Sequence, residues 1–144
     1  MPAMAVFFAL LLAAERVQAA PIPDAPVLIY TNVCYVTESG AGDVIGAEII
    51  LMRLPGETRV HYRLAEGDWM KPVLVDANVN EKTGEITFSV PDEGGPIAFK
   101  GNIAGQTLTG VFHRDAQGMN TLMPYQVRLK RVMAASYSVP DCYR

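Results

Sequence analysis

The residues of this 144-residue chain whose types invite chemistry are two histidines, two cysteines, a serine between strand-like neighbours and one glycine-rich stretch. His61 and His113 are candidate metal ligands, but both fall on the outward side of alternating runs in different hairpins. They lack a third ligand at matching spacing, so they read as surface histidines. Ser89 has outward-facing company, and no Ser or Cys stands near a His in a nucleophile motif. Gly40-Ala41-Gly42-Asp43-Val44-Ile45-Gly46 misses the G-x-G-x-x-G spacing by one residue and leads into a strand. No helix N-terminus would receive a phosphate there, so these are turn glycines. Neither a catalytic residue nor a cofactor or metal site is expected, and the chain reads as non-enzymatic. A polar cluster of Tyr30, Asn32 and Tyr35 with loop carboxylates would be needed to reverse that.

The elements that position these residues are read from period-two alternation. Ile86, Phe88 and Val90 alternate with Thr87 and Ser89; Ile97, Phe99, Gly101 and Ile103 do so with Ala98, Lys100 and Asn102; Leu108, Gly110 and Phe112 follow. Such runs are half-buried antiparallel strands, whose parity fixes the register because a one-residue slip would expose a whole apolar set. A two-residue turn at Ala104-Gly105 sets Ile103 against Gln106, Gly101 against Leu108, Phe99 against Gly110 and Ile97 against Phe112. Each glycine then faces a large side chain.

Earlier in the chain, Val27 to Glu38 is a first strand rich in β-branched and aromatic residues, with ambiguous facing. The next hairpin turns at Pro55-Gly56 and pairs Leu51 with Val60, Ile49 with Tyr62 and Ala47 with Leu64. It also sets Glu48 across from Arg63 as a solvent-side ion pair. Ala65 to Lys71 reads as a loop. Val73, Val75, Ala77 and Val79 form the inner parity of the following strand, and Asn80 to Gly84 turns it with Gly84 left-handed. Val79 then meets Ile86, Ala77 meets Phe88 and Val75 meets Val90. The six residues Pro91 to Pro96 set Val90 against Ile97. A last strand turns Val127 and Leu129 inward, Arg128 and Lys130 outward. Eight strands in hairpin succession predict an all-β fold, an eight-stranded antiparallel up-and-down barrel, with a two-sheet β-sandwich as the alternative.

Half the residues are apolar and 19% charged, which fits one folded domain, 20–144. A net charge of −3 argues against nucleic acid as a partner. Ala3 to Ala14 is apolar and precedes Val17-Gln18-Ala19, so residues 1–19 are expected to be a signal peptide cleaved near Ala19. It lacks a Lys or Arg ahead of the apolar run, and the run is too short to span a bilayer. With no cysteine at the cleavage point, no lipid anchor and no stable membrane anchor are expected. In a chain exported to the periplasm or the extracellular space, Cys34 and Cys142 read as one disulfide, with two free thiols as the alternative.

Gly42-Asp43-Val44-x-Gly46-x-Glu48-Ile49, Phe99-x-Gly101, Leu108-x-Gly110-x-Phe112, Leu129-x-Arg131 and Ser136-Tyr137 resemble a group of uncharacterised small exported bacterial proteins built as calycin-like β-barrels. The resemblance spans most of the mature chain and implies a calycin- or lipocalin-like barrel. It brings no activity or site residues.

The inward set is apolar apart from the Tyr62 hydroxyl, so the interior is either a packed core or a cup for a small apolar ligand. Tyr62, Phe88, Phe99 and Phe112 would line such a cup. Trp69 with Met70, and Met119, Leu122 and Met123, place large apolar side chains in loops. Those either fold over the barrel mouth, adding Trp69, Met119, Leu122 and Met123 to the ligand site, or form an exposed patch for a protein partner.

Overall fold

The computed structural model describes residues 21–37, 42–114 and 125–143. Expectations for residues 1–19 and for Met119, Leu122 and Met123 therefore lie outside the described residues. The strands are β1 (Val27–Thr31), β2 (Cys34–Val36), β3 (Asp43–Leu54), β4 (Glu57–Trp69), β5 (Val73–Val79), β6 (Glu85–Val90), β7 (Ile97–Ala104), β8 (Thr107–Arg114) and β9 (Tyr125–Val132). Neighbours in sequence pair antiparallel from β2 through to β9, and β1 pairs with both β3 and β9. With β1 and β2 as halves of one stave, this is a closed eight-stranded barrel.

The anticipated single first strand is two because polar side chains interrupt it. The Thr31 hydroxyl accepts a bond from Val33 N, and the Asn32 carboxamide oxygen accepts one from Ala47 N at 2.7 Å. The chain steps outward there, across Gly46, where a Cβ would lie 2.8 Å from the Val33 Cα. Leu28 and Tyr30 consequently point into the barrel core, whereas Val33 joins a second cluster with Val44 and Ala65.

Parity holds through the hairpins. Leu51 faces Val60, Ile49 faces Tyr62, Ala77 faces Phe88 and Val90 faces Ile97. The β7–β8 register differs by two residues from the sequence reading: Ala104 pairs with Thr107, so Gly105 and Gln106 make the turn. Gly105 has φ +57°, which suits the first position of a type II′ turn, whose twist matches that of the strands. Gly101 and Gly110 therefore face each other, as do Phe99 and Phe112. The Phe99 ring covers both glycines; a Cβ on Gly101 would sit 2.7 Å from its Cε1.

The stretch read as a loop from Ala65 onward continues β4 to Trp69, paired with β3 as far as Gly67. Arg63 does pair with Glu48, at 2.8 Å, but not in solvent: Glu48 is only 5% exposed. It lies opposite Thr31 on the outer face, while the Arg63 guanidinium stacks 3.5 Å over the Trp69 ring. Trp69 and Val139 of the C-terminal tail pack on Val33, Val44 and Ala65. The tail runs parallel to β2, with Tyr35 N bonded to Pro140 O and Cys142 N to Tyr35 O. The Cys34–Cys142 disulfide closes this contact.

Candidate functional site

One end of the barrel is filled. Leu28, Tyr30, Ile49, Leu51, Val60, Ile86, Ile103, Leu108 and Leu129 are buried there, and Ile22 with Ala25 packs on the same cluster. Arg53 fastens that leading segment: its Nη1 donates to Pro23 O at 2.8 Å and Ala25 O at 3.0 Å, while Nη2 bridges to Glu81.

The other end is a cup of about 850 Å³. Tyr62, Leu64 and Glu66 of β4 form one wall, Val90 and Ile97 another, and Phe112, Arg114 and Tyr125 a third. All continue the inward parity of their strands. The Phe112 ring centroid lies 5.1 Å from that of Tyr62, 4.6 Å from that of Phe99 and 6.4 Å from that of Tyr125. Phe88 and Phe99 are stacked at 4.7 Å and carry this aromatic layer from below. Tilted and offset rings of this kind form a rigid apolar floor.

The expected site residues thus fall in three places. Tyr62 and Phe112 line the cup, and Phe88 and Phe99 support it. Trp69 lies on the outside of the barrel beneath Arg63. Residues 115–124, with three of the expected ligand contacts, are outside the described residues; the flanking Arg114 and Tyr125 are both in the cup wall. Glu66 and Arg114 are cup residues that the sequence reading did not include. Simple continuation of the even parity through Val60, Tyr62 and Leu64, and through Leu108, Gly110 and Phe112, would have found them.

Searches of family models, of curated proteins and of solved structures return no match for this chain.

Arg114 is already committed, since its Nη2 is paired with the Asp92 carboxylate at the β6–β7 connection. A shallower depression of about 750 Å³ lies on the outer surface, lined by Lys100, Asn102, Thr109, Val111, Gln126 and Arg128. It is more open to solvent than the cup and has no aromatic ring in its lining, so the cup is the better binding site. No helix among the described residues is long and apolar enough to cross a membrane, and none of their His, Cys, Asp and Glu side chains group as a metal site.

Burial pushes the Tyr62 phenol up to about 12 from 10.0, helped by the neighbouring Tyr125 and Glu66. Its hydroxyl is therefore a neutral donor and acceptor across the ordinary pH range. The raised value also makes stability pH-dependent. The contribution is fully present below pH 10, the unfolded value, and is lost as the pH rises through about 12, because only the unfolded chain gives up the proton readily. Burial raises Tyr30 in the same direction. Denaturant melts between pH 9 and 12 are expected to show falling stability, with a shallower fall in Tyr62→Phe; an unchanged slope in that variant would remove Tyr62 as the cause.

Proposed function

We propose that the protein is a non-enzymatic binding protein, acting after export, that takes a small apolar molecule into the open end of its barrel. The observation that carries this is the division of one interior into a filled half and an aromatic-walled cup of about 850 Å³. That volume falls in the range of small-molecule sites, as does the mix of apolar walls with a few polar groups at the rim. Export is supported by the Cys34–Cys142 bond, which an oxidising compartment permits, and by the resemblance to exported calycin-like barrels. A protein-interaction module is favoured less, because the Trp69 ring it would present is packed against Val33, Val44, Ala65 and Val139.

A two-ring aromatic that buries roughly 200 Å² of its surface gains about 5 kcal/mol at ~25 cal/mol per Å² before the costs of association. A millimolar dissociation constant corresponds to about 4 kcal/mol of net binding, a strength that an NMR titration reads. In a heteronuclear NMR titration with naphthalene methanol, shifts are expected at Tyr62, Leu64, Ile97, Phe112 and Tyr125. Leu64→Trp, which fills the cup, should weaken binding by at least about tenfold. Shifts confined to the Trp69 face, or affinity unchanged by the filling substitution, would refute the assignment.

A further inference from the structure

Resting on that reading, we infer that the ligand is an amphipathic organic cation, an aryl or alkyl amine or quaternary ammonium. Its apolar part would sit on the Phe112 floor and its charge at the Glu66 carboxylate and the Tyr62 and Tyr125 rings. Among the described residues, two charged side chains line the cup. They are Glu66 on β4 and Arg114 on β8. Arg114 is neutralised by Asp92, and its guanidinium lies against Gly94, where even a Cβ would collide with it. Glu66 makes no comparable ion pair among the described residues; its β3 partner is Ile45, an apolar residue 42% exposed at the same rim. Among the described residues, that leaves one carboxylate without an ion pair, exposed at the rim of a largely apolar recess.

The rings that line the same cup as that carboxylate are suited to the same charge. Tyr62 and Tyr125 both pack on Phe112, with centroids 5.1 Å and 6.4 Å from it, and Tyr125 is 49% exposed at the rim. A cation within about 6 Å of such ring centroids is attracted by their quadrupoles, most strongly where water is excluded. An anion at the same place would meet the ring faces and the Glu66 carboxylate with the wrong sign. Tyr62 keeps its proton, so its hydroxyl adds a neutral dipole that can accept from an ammonium N–H. Tyr62 and Glu66 stand on β4 and Phe112 and Tyr125 on the paired strands β8 and β9, so the sign and the aromatic floor belong to the one cup.

The matched probes are 4-phenylbutyltrimethylammonium, 4-phenylbutanol and 4-phenylbutyrate, titrated by NMR into the full chain and into Glu66→Gln. The expected order is cation tightest by roughly tenfold over the alcohol, with the carboxylate weakest. In Glu66→Gln the cation should fall to within about threefold of the alcohol, whose own affinity should not change. Glu66 is exposed, so the substitution leaves the barrel core untouched. Alcohol binding in the cup without a preference for the cation would overturn this inference and leave the apolar-ligand reading standing. So would a preference that survives in Glu66→Gln, or tighter binding of the carboxylate. Failure of all three probes to shift the cup residues would remove both.

Discussion

Loss of the Cys34–Cys142 bond is expected to lower the free energy of unfolding by about 4 to 5 kcal/mol, the entropy of opening a loop this long in the unfolded chain. The bond joins residues 108 apart in sequence, so nearly all of the barrel lies within that loop. Set against the 5 to 15 kcal/mol typical of a folded domain, that is a large share. The native contacts that depend on it are local. The tail would keep two backbone bonds to Tyr35 and the packing of Val139, while the main core makes no use of the tail. A Cys34→Ser, Cys142→Ser double variant should therefore fold to the same barrel with an intact cup and unfold at much lower denaturant. The measurement is a pair of urea transitions, oxidised wild type against the double variant. A difference below about 1 kcal/mol would mean that the chain-entropy argument does not apply here.

The second large effect is expected at Gly84, where alanine should cost at least about 3 kcal/mol. Two independent penalties meet there. The backbone has φ +79°, a conformation that costs an L side chain about 1 to 2 kcal/mol. A Cβ would also fall inside the van der Waals boundary of the Ile103 carbonyl oxygen, whose own residue donates its N–H to Gly84 O at 2.8 Å. That hydrogen bond joins the β5–β6 turn to the end of β7, so relief of the clash would break it. Gly56 supplies the control. Its φ is +81°, nearly the same, yet nothing lies within 4 Å of its would-be Cβ. Gly56→Ala should show the dihedral penalty alone, and the difference between the two variants measures the contact. Equal losses at both sites would show that the close approach to Ile103 carries no cost.

The inward residues of β3 to β9 were legible because antiparallel hairpins with even loops transmit parity from one strand to the next. Val60, Tyr62, Phe88, Phe99 and Phe112 could be assigned to the interior without knowing any single register. Register itself needed turn chemistry. At Pro55-Gly56 and Asn80 to Gly84 the position of glycine decided it, whereas Gly105 could take either turn position and parity was blind to the choice. The break between β1 and β2 was hidden for a different reason: it depends on side-chain bonds from Thr31 and Asn32 that compete with the ladder. Burial of Glu48 was beyond local reading, since its cover comes from Arg63 and from the neighbouring strand carrying Thr31. The filled end was equally hidden. Its cap, the Pro-rich segment around Ile22, has no period to read, and Arg53 holds it by backbone carbonyls rather than by side chains.

The seam between β1 and β9 has a kinetic consequence. Every other ladder joins strands close in the chain, so each hairpin can assemble by itself with little search. Ile29 and Val132 lie roughly a hundred residues apart, and contacts of that span slow folding. Until they meet, a curled ribbon would display two raw edges, each a template for a neighbouring molecule. Refolding yield should accordingly fall with protein concentration while the rate of seam closure does not.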